Sequence, residues 1–227
     1  MRMRRKRNLE PRMEACGDLL VARGRPCLNL KEAAENYRML LDFKEIFGNA
    51  NPVRLEVGCG NGKFVAELAR RCPQVNFLAA EICSNVVLTA MERIAQEGIG
   101  NVRFLNIPAE TLECYLPEDS VEEIYLNFST PLPEKGREKQ RLTSPRFLRI
   151  YDKLLKAGGR IVQKTDSEPF FDYSLEQFRA FGFAVREVTR DLHNSEYAKD
   201  NIVTEYEAAF AGKGLPIFRA VAVKEKV

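Results

Sequence analysis

The sequence predicts an α/β protein with a Rossmann-like, doubly wound, mostly parallel sheet of seven strands. Three observations lead to this prediction. Short apolar segments alternate with segments of helical periodicity from residue 53 onward, which is typical of strands joined by crossover helices. A glycine-rich turn follows the first of these apolar segments at residues 58–62. The chain has 227 residues, of which 45% are hydrophobic, and this is enough for one domain with a buried core.

The predicted elements follow one another in the order of this fold class. Residues 13–30 are predicted to be irregular because Gly17, Gly24 and Pro26 interrupt any pattern, and an amphipathic helix is predicted over residues 31–47. Strands are predicted at Val53–Val57, 75–80, Val102–Asn106, 121–128, 160–164, Ala184–Thr189 and 216–223, the last two as an antiparallel pair. Further helices are predicted at Lys63–Arg71, 84–97, 144–155 and 175–181, with Gly158 and Gly159 as the C-cap of the helix at 144–155.

The composition excludes several classes of protein. No apolar run approaches the length of about 18 residues that a membrane-spanning helix needs, and the N-terminal residues lack the apolar core of a signal peptide. We therefore expect a cytoplasmic protein with reduced thiols and no membrane partner. The six cysteines form no Cys-x-x-Cys pair and His193 is the only histidine, so neither a metal site nor a Ser-His-Asp triad is expected.

The basic residues are distributed unevenly. Residues 1–12 carry six basic side chains and one acidic side chain, although the whole chain has a net charge of only +3. We therefore predict a basic N-terminal arm at residues 1–28 and one domain at residues 29–227. The arm could bind a phosphate backbone and become ordered on contact, or it could be a solvated terminus. The alternating charges of residues 134–141 leave the same two alternatives open, a phosphate contact or a solvated helix face.

The glycine-rich turn carries the first functional prediction. Gly58 and Gly60 permit close approach of a ligand to the backbone, and the turn follows a strand that contains Glu56. A second acid, Glu81, ends the next predicted strand and could accept the hydroxyls of a ribose. A carboxylate at Glu56 would repel a pyrophosphate, so a nicotinamide-dependent oxidoreductase is disfavoured and a cationic ligand such as S-adenosylmethionine is favoured. The alternative is a turn that needs its glycines only for packing.

The sequence resembles a known enzyme family in several segments. Residues 55–62 (LEVGCGNG) together with Glu81 resemble the class I S-adenosylmethionine-dependent methyltransferases. The other segments resemble the bacterial tRNA (guanine-N7-)-methyltransferases and occur in the order of that family. They are YLNFS at 125–129, RLTSPRFL at 141–148, KTD at 164–166, DLHN at 191–194 and TEYE at 204–207.

This resemblance implies transfer of a methyl group from S-adenosylmethionine to N7 of the variable-loop guanine of tRNA. S-adenosylhomocysteine is the implied product, and the protein is expected to be a monomer or a homodimer. The cofactor-binding residues that it implies are Glu56, Val57, Gly58, Gly60, Glu81, Ile82, Ile107, Pro108, Ala109 and Asn127. The substrate-binding residues that it implies are Lys135, Arg137, Arg141, Asp166, Thr204, Glu205, Tyr206 and Glu207.

The chain departs from the family pattern at several functional positions. Thr130 replaces the family aspartate, Leu132 the tryptophan and Glu134 the first lysine, and Pro108 stands where an acid is expected. No catalytic residue is therefore assigned. The alternative function is a diverged, weakly active or inactive paralogue that binds S-adenosylmethionine, tRNA or both.

The implied chemistry makes few demands on side chains. Guanine N7 carries a lone pair and no proton, so the reaction needs positioning of the base rather than a general base. The opposite edge of guanine carries N–H groups, and the carboxylates of Asp166, Glu205 and Glu207 could accept hydrogen bonds from them. Without the resemblance these acids would be interpreted as solvated loop charges. Tyr206 or Phe128 could stack on a flipped base or pack in the core, and His193 is expected to be a structural hydrogen-bonding residue.

Overall fold

A computed structural model describes residues 6–24, 39–211 and 214–225. The chain divides into two compact units, an N-terminal unit at Met1–Tyr115 and a C-terminal unit at Leu116–Val227. In the described residues no helix combines the length and the apolar character that crossing a membrane requires.

The N-terminal unit contains a four-stranded parallel sheet. Its strands are β1 (Leu20–Arg23), β2 (Val53–Val57), β3 (Asn76–Ala80) and β4 (Val102–Asn106), in the order β1-β4-β3-β2. All three pairs in this order are parallel. Its helices are α1 (Leu9–Ala15), α2 (Phe43–Phe47), α3 (Lys63–Arg71), α4 (Ser84–Gln96) and α5 (Leu112–Tyr115).

The carboxyl ends of β2, β3 and β4 are aligned with one another in this sheet. Val57 is in register with Ala80, and Ala80 is in register with Leu105. Because the strands are parallel, their carboxyl ends lie at one edge of the sheet, which is where open α/β sheets bind ligands. The glycine-rich turn and the residues that follow β3 and β4 therefore share this edge.

The N-terminal residues differ from the sequence prediction. Residues 13–23 were expected to be irregular, but α1 and β1 occupy most of them. Leu9 and Met13 are four residues apart and both are buried, so α1 presents an apolar face that the many basic residues obscure in the sequence. Arg12 donates from Nε and Nη2 to the carboxylate of Glu92, at 2.7 Å each. Part of the predicted basic arm is thus folded and bound to α4 of the N-terminal unit.

The helix predicted at 31–47 is much shorter in the described residues. Residues 31–38 of that prediction lie outside the described part of the chain, and α2 begins only at Phe43. The Asp42 carboxylate accepts hydrogen bonds from the backbone N–H groups of Lys44 at 2.8 Å and Glu45 at 3.2 Å. This N-cap competes with continuation of a helix through residue 42.

The C-terminal unit contains a four-stranded mixed sheet. Its strands are β5 (Val121–Asn127), β6 (Leu155–Thr165), β7 (Ala184–Thr189) and β8 (Phe218–Val223), in the order β5-β6-β8-β7. The β5–β6 pair is parallel, whereas β6–β8 and β8–β7 are antiparallel, as predicted for the last two strands of the chain. Its helices are α6 (Pro145–Leu154), α7 (Glu168–Phe181) and α8 (Glu205–Ala211).

The prediction of a mostly parallel α/β fold is confirmed, with one strand more than the seven expected. The additional strand is β1, so the described residues contain eight. Another correction concerns Gly158 and Gly159, which do not cap α6 but lie within β6. The partner of β5 there shifts from Leu155 to Arg160, which makes the glycines part of a bulge. A C-cap and a bulge both favour a positive φ, such as the 79° of Gly158, and the sequence does not distinguish them.

Gly62 is required for close packing of α3 against α4. Its φ is +78°, and a Cβ added there would lie 2.7 Å from Cβ of Ala90. We expect Gly62→Ala to lower the free energy of unfolding by about 1–3 kcal/mol through overpacking, in addition to the cost of a left-handed alanine. Gly98→Ala is the matched control because its φ is +64° and nothing lies within 4 Å of the added Cβ. Equal losses for the two variants in urea unfolding would contradict the role of close packing.

Candidate functional site

The glycine-rich turn of the N-terminal unit exposes its backbone to a ligand. Gly58 and Gly60 have φ values of +81° and +56°, and a Cβ added at either position would meet no atom within 4 Å. The N–H of Gly58 donates to the carbonyl of Ala80 at 2.8 Å, which fixes the start of the turn against β3. The open space beside both glycines leaves room for a ligand to approach the main chain.

Glu81 fixes this turn from the end of β3. Its Oε2 accepts a hydrogen bond from the N–H of Gly60 at 3.2 Å, and its Oε1 accepts one from the N–H of Cys83 at 2.9 Å. The carboxylate is partly exposed and lies beside the turn. It is therefore both a structural anchor of the turn and a candidate acceptor for ligand hydroxyls.

The turn lies in a negative electrostatic field. Glu56 is 4% exposed at the end of β2. Burial raises the pKa of the Cys59 thiol well above its usual value, and the charges of Glu56 and Glu81 raise this pKa further. Two carboxylates beside the turn would repel a pyrophosphate and attract a cation. A sulfonium and an amino group fit this field.

The residues after β4 complete this edge of the N-terminal unit. Asn106 donates from Nδ2 to the carbonyl of Glu81 at 2.8 Å and of Ile82 at 3.2 Å, which ties the ends of β3 and β4 together. Ile82 is 63% exposed, whereas the side chain of Ile107 is 1% exposed. Pro108 is buried and Ala109 is partly buried. An apolar ring could therefore contact the side chain of Ile82, while Ile107 and Pro108 shape the backbone.

The TEYE segment of the C-terminal unit is organised around Glu207, whose side chain is not exposed at all. Its Oε2 accepts a hydrogen bond from Nζ of Lys164 at 2.8 Å. Its Oε1 accepts one from Nδ2 of Asn201 at 2.6 Å and lies 2.7 Å from Nε2 of His193. Both oxygens are thus engaged inside the protein, which favours a positioning role for Glu207 over direct contact with a substrate. His193 is a structural hydrogen-bonding residue, as expected.

Glu207 also caps the start of helix α8. Its N–H donates to Oγ1 of Thr204 at 3.0 Å, and the N–H of Thr204 donates to Oε2 of Glu207 at 3.3 Å. This reciprocal pair is a capping box. Of the four TEYE residues, Thr204 and Glu207 therefore fix the start of the helix, and Tyr206 lies between them in the first turn. The described residues do not include the side chain of Glu205.

Tyr206 forms an exposed aromatic surface beside Asp166. Its side chain is 49% exposed, and its ring stacks on Phe210 at 4.6 Å and tilts against Phe128 at 5.1 Å between centroids. Partial burial raises the pKa of Tyr206, as do the charge and a hydrogen bond of the Asp166 carboxylate. Of the acids predicted to bind guanine, Asp166 is partly exposed and adjoins this surface.

The remaining predicted substrate residues lie in the segment after β5. Lys135 and Arg137 are exposed, as is Thr130. Arg137 lies 3.6 Å from the carboxylate of Glu134, and the helix considered for this stretch is only a short 3-10 turn at Glu138–Gln140. Arg141 instead donates to backbone carbonyls of its own segment. Asn127 ends β5 and is partly buried.

Sequence reasoning missed Lys164 and Asn201 as members of this site. Lys164 is the last residue but one of β6 and is 3% exposed, and it also donates to the carbonyl of Ile202 at 2.8 Å. A lysine that follows the apolar residues Ile161 and Val162 in a predicted strand is the available sequence signal, because an ammonium group buried in a sheet needs a carboxylate partner. Nothing in the local pattern identifies Asn201.

Acid should weaken the C-terminal unit through Glu207. Burial alone would raise its pKa, but the charge of Lys164 and hydrogen bonds from Lys164, His193 and Asn201 outweigh burial and lower it. Because the pKa of Glu207 is lower in the folded state, this carboxylate stabilises the fold fully at pH values above its ordinary pKa of about 4.3. That contribution to stability is lost as the pH falls through the pKa of the folded state.

We therefore expect the free energy of unfolding to fall with decreasing pH in that acidic range. Urea unfolding at a series of pH values measures this fall, and the double variant K164M/E207L, which lacks both charges, should lose less stability over the same range. Parallel curves for the two proteins would contradict the assignment to Glu207.

Groups of three or more His, Cys, Asp or Glu side chains that could hold a metal ion are absent from the described ranges. The described residues thus offer two separate candidate surfaces: a glycine turn with two acids in the N-terminal unit, and an aromatic and acidic surface in the C-terminal unit.

Comparisons with known proteins agree with these features. Residues 50–220 match the model of the family described as "Putative methyltransferase". A tRNA (guanine-N(7)-)-methyltransferase of Lachnoclostridium phytofermentans is 44% identical over 81% of this chain and 86% of its own length. The enzyme of the same name from Bacillus subtilis is 42% identical over 78% of this chain and 83% of its own length.

Solved structures of more distant methyltransferases share the fold. A 16S rRNA methyltransferase, KamB, has a TM-score of 0.62 at 18% identity, over 81% of this chain and 92% of its own. An S-adenosylmethionine-dependent methyltransferase from Aquifex aeolicus has a TM-score of 0.55 at 15% identity, over 87% of this chain and 100% of its own. At such identities the similarity establishes the fold alone. The family match and the relatives above 40% identity go further: this chain belongs to the tRNA (guanine-N7-)-methyltransferase family.

Proposed function

We propose that this protein transfers a methyl group from S-adenosylmethionine to N7 of the variable-loop guanine of tRNA. The observation that carries this proposal is an open glycine turn whose backbone is held by the Glu81 carboxylate, in a chain of this family. The family comparison supports an active enzyme and adds nothing in favour of the inactive paralogue.

S-adenosylmethionine fits the residues of the N-terminal unit. When bound, it supplies a methyl group on a positively charged sulfur. Glu56 and Glu81 would attract that charge, and Glu81 would also accept ribose hydroxyls. Val57, Gly58 and Gly60 would present backbone to the methionine part, and Ile82 with the backbone of Ile107–Ala109 would contact the adenine. S-adenosylhomocysteine is the proposed product.

The C-terminal unit would hold the guanine. Tyr206 offers an exposed ring for stacking on a base taken out of the RNA stack. Asp166 would accept hydrogen bonds from N1–H and the N2 amino group, which lie on the guanine edge opposite N7. Glu207 and Thr204 would act indirectly by fixing the helix that carries Tyr206. Glu205, in the same helix, is the other acid proposed to accept hydrogen bonds from the guanine.

The reaction requires no proton transfer at N7. The lone pair of N7 forms the new bond to carbon, and the electrons of the carbon–sulfur bond return to sulfur. The methylated base carries a positive charge, which a nearby carboxylate such as Asp166 would stabilise. This explains how the enzyme can function with Thr130 in place of an aspartate.

Exposed basic residues would bind the tRNA backbone. Lys135 and Arg137 lie on the surface, where they can neutralise phosphates. Glu134 pairs with Arg137 and reduces the local positive charge. As a tRNA-modifying enzyme the protein would act in the cytoplasm, as a monomer or a homodimer.

Methyl transfer to unmodified tRNA tests the proposal. The purified protein is incubated with radiolabelled S-adenosylmethionine and tRNA transcript, and the labelled nucleoside is identified after digestion. We expect 7-methylguanosine, and a transcript whose variable-loop guanine is replaced by adenine should remain unlabelled. Asp166→Asn, which keeps the shape but loses the charge, should raise KM for tRNA while leaving cofactor affinity unchanged.

Two outcomes would contradict the proposal. Label in another nucleoside would reject the site of methylation. Absence of label from a protein that still binds S-adenosylmethionine would support the binding paralogue instead.

A further inference from the structure

Arg141 is engaged by its own segment of the C-terminal unit. Its Nε donates to the carbonyl of Pro131 at 2.9 Å, and its Nη2 donates to the carbonyl of Leu132 at 3.2 Å. The guanidinium lies over the ring of Tyr173, 4.4 Å from the centroid. A planar guanidinium is well suited to such a combination of two hydrogen bonds and a stacked ring.

The segment that Arg141 holds has an unusual backbone. Phe128 has a φ of 52° and Leu132 a φ of 46°, and neither is a glycine. Left-handed conformations are costly for residues with a large side chain, so the surroundings must maintain them. The N–H of Phe128 donates to the carbonyl of Lys164 at 2.8 Å, which fixes the first residue. The contacts from Arg141 fix the last.

The residues between these two ends are those expected near the reacting groups. Ser129 Oγ is buried and forms no hydrogen bond with any described residue. Thr130 is exposed at the position of the family aspartate. Phe128 supports the ring of Tyr206. The conformation of residues 128–132 therefore decides where a hydroxyl, a threonine and an aromatic ring are presented.

We infer that Arg141 is a positioning residue that holds the segment 128–132 in the conformation in which Phe128 and Leu132 are left-handed, and that it is not a ligand for tRNA phosphates. This inference rests on the proposed function, because its catalytic consequence is measured as methyl transfer. It replaces the interpretation of Arg141 as a substrate-binding residue. Arg137 remains a candidate phosphate ligand, because its side chain is exposed.

A matched pair of variants, Arg141→Gln and Arg137→Gln, distinguishes these roles. Each removes one positive charge from the same segment. Three quantities are measured on the full chain: deuterium exchange of the backbone amides in residues 128–132, kcat for tRNA methylation, and the slope of the logarithm of tRNA affinity against the logarithm of salt concentration.

For Arg141→Gln we expect faster exchange in this segment and a fall in kcat of about tenfold to a hundredfold, because small misplacements of reacting groups are costly. The salt slope should match that of the wild type. For Arg137→Gln we expect unchanged exchange and a salt slope that is shallower by about 0.7–0.9, the value for one phosphate contact. Tyr173→Leu should reproduce part of the Arg141→Gln effect on exchange.

A shallower salt slope for Arg141→Gln, with unchanged exchange, would overturn the inference in favour of a phosphate contact. Unchanged exchange and unchanged kcat would overturn it as well. If the wild type does not methylate tRNA, the proposed function fails, but the exchange measurement still shows whether Arg141 holds residues 128–132.

Discussion

Replacement of Glu207 by alanine is expected to lower the free energy of unfolding by about 3–5 kcal/mol, because it leaves a buried lysine without its carboxylate partner. Lys164 is 4% exposed at its side chain and its Nζ lies 2.8 Å from Oε2 of Glu207. The same substitution removes the acceptor for Asn201 and half of the capping box with Thr204. Urea unfolding of the full chain, followed by circular dichroism, measures the effect.

The double variant K164M/E207L is the control for this prediction. It removes both charges together, so no buried ion is left unpaired, and much of the lost stability should return. Glu207→Gln should fall between the wild type and Glu207→Ala, since an amide retains one acceptor. A change in unfolding free energy within about 0.5 kcal/mol for Glu207→Ala, which is typical of exposed sites, would disprove the structural importance of this pair.

This buried cluster shows why part of the site could not be predicted from the sequence. The TEYE segment indicated that Thr204 and Glu207 matter, but both are also what a capping box requires. Only the structure shows Glu207 facing Lys164, which is 43 residues away in the chain. A resemblance identifies which residues belong to a site, whereas burial decides which of them can meet a ligand. Asp166 and Tyr206 are partly exposed or exposed, and Glu207 is not.

The fold was more predictable in its central part than at its N-terminus. The bounds of β2, α3 and β4 agree with the prediction to the residue, because buried parallel strands and amphipathic helices carry strong periodic patterns. The bounds of the antiparallel strand β7 agree as well. Helix α1 has only seven residues, and its two buried side chains stand among charged ones. Strand β1 has four residues and pairs with β4, which is some 80 residues away in the chain. Local patterns contain little information on such a long-range pairing.

Glu81 illustrates how local structure and function combine in one side chain. It was predicted from its place after a strand, and the structure adds its contacts with the N–H groups of Gly60 and Cys83. A carboxylate that accepts backbone N–H groups orders the turn, and the same charge attracts a cationic ligand. Both effects act on the affinity for S-adenosylmethionine, so we expect a large change when the charge is removed.

Glu81→Gln is therefore expected to weaken the binding of S-adenosylmethionine by about tenfold to a hundredfold, the equivalent of one charge-assisted hydrogen bond. Isothermal titration calorimetry measures the affinity, and urea unfolding separates it from any loss of stability. Glu67→Gln is the matched control, since Glu67 pairs with Arg70 and Arg71 on the exposed face of α3 and should leave the affinity unchanged. Glu81→Asp keeps the charge but shortens the reach, so it should bind more weakly than the wild type and more tightly than Glu81→Gln. Wild-type affinity in Glu81→Gln would contradict the placement of the cofactor at this turn, because a cofactor bound there should depend on the Glu81 carboxylate.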